Sequence, residues 1–235
     1  MTKLQRLYRP ALCSAVFLLL AIAALPASAD TAFSTIGNAN TAIAGFAGPY
    51  ATVEIDLTSS TTATITFTSD VKNGFIFLMG DGGSVALNVN ATTFTATNIT
   101  GSNSGTGFTP GPYSVASAGN EDGFGSFNLK INSFDWFTHS SDTISFTLTN
   151  TSGTWASATD VLIANADGFD AAIHAFVTTF PANAANGAIA TGFAAETAGS
   201  FESTPPPGTE PSSLAILGSG LVGLGSLVRR RLKKS

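Results

Sequence analysis

The chain of 235 residues offers little to nucleophilic chemistry: two histidines, one cysteine at position 13, and no Gly-x-Ser-x-Gly motif. Acyl transfer needs an activated Ser or Cys, a base and an orienting acid. His139 lies beside a turn in Phe137-Thr138-His139-Ser140, and His174 lies inside Ala171-Ala172-Ile173-His174-Ala175-Phe176. Neither has a partner at motif spacing, so they read as a surface residue and a half-buried structural one, and no ligand pair has the spacing of a zinc site. The chain therefore reads as non-enzymatic. A hydrolase working with acidic residues would need two carboxylates facing one cleft about 5 to 9.5 Å apart.

Carboxylates and aromatics offer more. Asn165-Ala166-Asp167-Gly168-Phe169-Asp170 and Asn120-Glu121-Asp122-Gly123-Phe124 place acidic and amide oxygens around a glycine turn. Such oxygens are what Ca²⁺ prefers, which makes Asn165, Asp167 and Asp170 the candidate cation ligands, although EF-hand spacing is missing. Asp-Gly is equally the ordinary chemistry of a turn. Trp136, next to Asp135, and Trp155, in Gly153-Thr154-Trp155-Ala156, are candidates for stacking on a sugar ring; both sequences also suit core residues of a β fold. No other cofactor is expected.

The elements that must position these residues read as strands. Between residues 30 and 204 the chain is dense in Thr, Ser, Asn, Gly, Ala and Phe, with glycine or asparagine every ten residues or so. Val53, Ile55 and Leu57 alternate with Thr52, Glu54 and Asp56; Ala63, Ile65 and Phe67 alternate with Thr64, Thr66 and Thr68; Ser59 to Thr62 supplies a turn between them. Phe75 and Phe77, then Val85, Leu87 and Val89, Phe127, Leu129 and Ile131, and Ile144, Phe146 and Leu148 continue the pattern. One wet and one dry face is the signature of antiparallel sheets. The expectation is an all-β antiparallel β-sandwich, jelly-roll-like or Ig-like, of about eight to ten strands. Residues 98–120, broken by Gly101, Gly105, Gly107, Pro110, Gly111 and Pro112, read as a surface loop, and Phe169 to Phe180 reads equally as short helix or strand.

The two ends read as addresses. Lys3, Arg6 and Arg9 precede an apolar stretch from Ala11 to Leu25 and a small-residue site at Ala27-Ser28-Ala29, so the Sec translocon and signal peptidase are expected to yield a protein beginning at Asp30. Between that point and Glu202, Lys72 and Lys130 stand against fourteen carboxylates, a net charge of −12. That imbalance excludes nucleic acid as a partner, because phosphate recognition needs clustered Lys and Arg. With its one cysteine inside the leader, the exported part has no disulfide and must be held by its core.

At the other end, Pro205-Pro206-Pro207-Gly208-Thr209-Glu210-Pro211-Ser212-Ser213 precedes an apolar run from Leu214 to Val228 and the cluster Arg229-Arg230-Arg231-Leu232-Lys233-Lys234. A stiff spacer, an apolar helix barely long enough for a bilayer and a basic stop are expected, with residues 229–235 cytoplasmic. This order resembles the PEP-CTERM sorting signal of exported proteins of Gram-negative bacteria, with Glu210, Pro211 and Ser212 as the sorting motif and Thr209 where the family pattern has proline. Thr143 to Val161 is similar to a segment of such exported proteins. The resemblance implies an exosortase substrate, held at the inner membrane by its C-terminal transmembrane helix on the periplasmic side and then released to the cell surface or extracellular matrix. A structural or adhesive role follows from it, with exopolysaccharide as a partner. The alternative is a carbohydrate-binding β-sandwich module on the same delivery system.

Overall fold

The computed structural model describes residues 30–196 and 199–204. Within them the chain runs through β1 (Asp30–Ile36), β2 (Asn38–Ala39), β3 (Ala51–Ser59), β4 (Thr62–Ser69), β5 (Val71–Lys72), β6 (Phe75–Met79), β7 (Val85–Leu87) and β8 (Phe94–Ser102). It continues through β9 (Ser114–Ala116), β10 (Gly119–Glu121), β11 (Gly125–Phe127), β12 (Leu129–Asn132), β13 (Thr143–Asn150), β14 (Ala171–Thr179), β15 (Ala190–Ala195) and β16 (Glu202–Thr204).

Every ladder is antiparallel. The first sheet has the order β16-β1-β3-β4-β13-β8. The second is β2-β15-β14-β7-β12-β9, with β6 also on β14 and β5 on β6. β7 pairs with Ala171 to Ile173 and β6 with Ala175 to Thr179, so the two short strands lie end to end along β14. Gly80 to Ser84 loop out between them. Gly80 N–H donates to His174 O at 3.2 Å, and His174 N–H returns a bond to Gly83 O at 3.1 Å.

Strand alternation explains the core. Val53, Ile55 and Leu57 of β3, Ala63, Ile65 and Phe67 of β4 and Ile144, Phe146 and Leu148 of β13 turn to the same dry side. They meet Phe77, Met79, Val85, Leu87, Leu129, Ile131, Ile173 and Val177 from the second sheet in one cluster. Burying one such side chain stabilises by about 1.5–3 kcal/mol. The second sheet is covered on its other face as well. Phe124 and Phe127 of the β10–β11 hairpin sit on Ala86, Ala172 and Ala195, while Phe108, Phe137 and Ala182 sit on Ile76, Leu78 and Phe176. This double cover is why β14 is buried almost throughout.

The structure corrects three expectations. The sheets are open and uncurled, the described strands number sixteen, and their order is not that of a jelly-roll-like or Ig-like sandwich; what stands is an all-antiparallel β domain. The span 98–120 is partly ordered into the end of β8, all of β9 and the start of β10. The transmembrane helix and inner-membrane tether are overturned as far as the described residues reach: no helix there is long and apolar enough to cross a membrane, and the helical segments found are three-residue 3-10 turns. The run 214–228, the stop-transfer residues Arg229, Arg230 and Arg231, the motif Glu210-Pro211-Ser212 and the leader with Ala27 and Ala29 lie outside the described residues. Asp30 opens β1, and its Oδ2 accepts the Ala158 N–H at 2.7 Å.

Candidate functional site: the Trp136 loop and three charged pairs

Trp136 sits on the loop between β12 and β13, and its neighbours decide its position. Ser133 is pinned beneath it: Ser133 N–H donates to Asp81 O at 3.0 Å, and Ser133 Oγ donates to His139 O at 2.9 Å. Phe137 plunges into the apolar cover, edge-on to Phe108 at 5.2 Å and to Phe176 at 5.7 Å. The ring N–H of His139 donates to Gly111 O at 2.5 Å, which ties the loop's far side. Between these anchors Trp136 takes φ 112° and ψ 133° and leaves its side chain 72% exposed. A non-glycine residue there costs about 1–3 kcal/mol. Phe134, 48% exposed, stands edge-on to the His139 ring at 4.8 Å. Asp135 completes the patch; a hydrogen bond to the Asp81 carboxyl, and then its like charge, raise the Asp135 pKa. Such direct contact is closer than the carboxylate spacing of about 5–9.5 Å that glycoside hydrolysis uses.

Beside this loop, under the β10–β11 hairpin, Glu121 is fully buried and meets Lys130 Nζ at 2.7 Å. Burial outweighs the ammonium and pushes the Glu121 carboxyl up to about 7. Gly83, at φ 72°, makes room for it: a Cβ there would stand 2.2 Å from Glu121 Oε1. His174, on the same face of β14, stacks on Phe193 at 4.3 Å and 14°, with Nε2 2.9 Å from Thr191 Oγ1; burial lowers its pKa and keeps it neutral.

The third pair, Asp170 and Glu196, joins the ends of β14 and β15 to β1. Glu196 Oε1 accepts the Asp170 N–H at 2.7 Å, and its Oε2 accepts from Ser200 Oγ at 2.5 Å and from Ser34 Oγ at 3.4 Å. Desolvation pushes Glu196 up to about 7 and raises Asp170 as well.

The residues singled out in the sequence are thus dispersed. Trp155 is 2% exposed and donates Nε1–H to Asn90 O at 2.8 Å, so it closes the core and leaves no ring face for a sugar. A polar cleft of about 400 Å³ opens beside it, lined by Asn90, Thr92, Asn150, Ser152, Thr154 and Ile163. Asn165 spends its Oδ1 on the Asp167 and Phe169 amides and its Nδ2 on Phe124 O. The Asp167 carboxylate lies against Gly125, where a Cβ would meet Oδ2 at 1.8 Å. Of the three candidate cation ligands, Asp170 alone reaches a second buried carboxylate, and among the described residues no three His, Cys, Asp or Glu side chains converge on one point. The pairs Asp81–Asp135, Glu121–Lys130 and Asp170–Glu196 carry no local sequence signal, because β pairing brings their members together from different strands and loops. Compared with family models, with curated proteins and with solved structures, the chain matches none of them.

Proposed function

We propose that this chain is an exported, non-enzymatic surface or matrix protein with an adhesive role, delivered by its PEP-CTERM-like tail and processed by an exosortase. The tail residues Glu210-Pro211-Ser212 and the leader ending at Ala29 support delivery. The observation that supports adhesion is Trp136, held exposed at a strained φ of 112° by a loop anchored on both sides. Intact mass of the exported protein tests delivery: it begins at Asp30, and Glu210→Ala or Pro211→Ala leaves the C-terminal mass unprocessed. A wild type with the same C-terminal mass as those variants removes the sorting signal from the reading.

The carbohydrate-binding reading is favoured by the chemistry of the same loop. An indole face offers a flat apolar surface to a pyranose ring, and Asp135 and Asp81 supply acceptors for its hydroxyls. On a glycan array Trp136→Ala should lose about 2 kcal/mol or more, as a central aromatic anchor does, roughly a thirtyfold weakening. Trp136→Gly should do the same while stabilising the fold by about 1 kcal/mol, because glycine relieves the positive φ. Binding unchanged in both variants moves any sugar site elsewhere, with the polar cleft at Asn90 and Asn150 the next place to look.

A further inference from the structure

Asp170 and Glu196 pose a problem of charge. Glu196 is fully buried and Asp170 is 6% exposed, yet the cationic side chains among the described residues stand elsewhere. Lys130 is committed to Glu121, and Lys72 acts on Asp70. Two carboxylates side by side in a dry site are strongly unfavourable unless something positive joins them.

Ser34, Ser200 and the Gly199 amide gather around them. Asp170 Oδ2 accepts the Gly199 N–H at 3.4 Å, the neighbouring Ser200 Oγ bonds Glu196 Oε2, and Ser34 Oγ lies against Ser200 Oγ and also reaches Glu196 Oε2. Asp170 Oδ1, cut off from solvent, has no partner at all. On the Ser34 and Ser200 side a cleft of about 360 Å³ opens between Phe33, Thr35, Thr52 and Glu202 and gives a small ion and its waters a way in.

We propose that Asp170, Glu196, Ser34 and Ser200 form a calcium site that staples β1 of the first sheet to β14 and β15 of the second. The ligand set is all hard oxygen, two carboxylates balance the dication, and a mixed set of carboxylates and hydroxyls completed by water fits the irregular shell of six to eight oxygens that Ca²⁺ accepts. Mg²⁺ demands a near-ideal octahedron and sheds water reluctantly, so it fits poorly. With two carboxylates the affinity falls in the range of extracellular modules, about 10⁻⁴–10⁻³ M.

The test is a calcium titration of the exported chain, stripped with EDTA and held at about pH 8, above the value of about 7 to which burial lifts Glu196. Calorimetry should count one ion per chain. At about a hundredfold excess over the dissociation constant, Ca²⁺ should raise Tm by about 5–10 °C, and MgCl₂ should give a much smaller shift. Glu196→Gln and Asp170→Asn keep the side-chain shapes and should abolish the shift. Should either fail to fold, the exposed Ser200→Ala variant decides, with an expected loss of about tenfold in affinity for one missing ligand. A Tm that ignores Ca²⁺ but follows pH makes the pair a proton-sharing contact and overturns the proposal. So does a calcium shift that persists in the Glu196, Asp170 and Ser200 variants, which places the ion elsewhere.

Discussion

Replacing Lys130 by methionine should destabilise the domain by about 1–2 kcal/mol at pH 8, because the Glu121 carboxyl, left buried with no partner, must hold a proton that the wild type has already released. The ammonium lies 2.7 Å from Glu121 Oε1, and the carboxylate is closed in by the β10–β11 hairpin and the backbone of Gly83. The penalty should shrink at pH 5, where Glu121, lifted to about 7, holds a proton and needs no counter-charge. Replacing both partners at once, Glu121→Leu with Lys130→Met, should recover most of the loss, since an apolar pair of similar volume avoids desolvating two charges. Urea midpoints of the three variants at both pH values measure this. A single variant as stable as the wild type at pH 8 shows that the hairpin opens freely and that Glu121 is solvated.

That pair also marks how far the sequence could be read. Val53, Ile55 and Leu57 opposite Ala63, Ile65 and Phe67 were legible because one face of that hairpin is wet, and a period of two then appears in the residues themselves. β14 was not, because the β10–β11 hairpin and the Phe108 and Phe137 loops cover its outer face, so its residues are apolar on both sides and suit a short helix equally well. β2, β5, β9, β10, β11 and β16 are two or three residues long, too short to show any period. The two tryptophans were indistinguishable by sequence. Trp155 is claimed by the carbonyl of Asn90, and Trp136 is expelled by the anchoring of Phe137, both contacts that only the fold creates. Asp170 carried turn chemistry in its own segment, and its partner Glu196 comes from the end of another strand.

Stability in the presence of EDTA should rise as the pH is lowered from 8 to 5. Glu121 and Glu196 are each lifted by desolvation from 4.5 to about 7. Between those values the folded chain holds more protons than the unfolded chain, so each group takes away about 1.4 kcal/mol for every pH unit climbed. Over that window this amounts to about 3 kcal/mol per group, and above pH 7 the loss is complete. Burial also raises Asp70 and Asp170, a shift of the same sign. His174 works against them: its lowered pKa makes the neutral ring the folded form, a contribution that is full above its unfolded value of 6.5 and is lost as the pH falls. Two glutamates outweigh one histidine, so the net slope keeps its sign. Glu121→Gln and Glu196→Gln should each remove about half of the slope, and saturating Ca²⁺ should flatten the share belonging to Glu196 alone, since the ion takes the place of its proton. A wild-type urea midpoint that is flat or rises between pH 5 and 8 means that both carboxyls ionise as they do in water, and the desolvation argument fails for both sites at once.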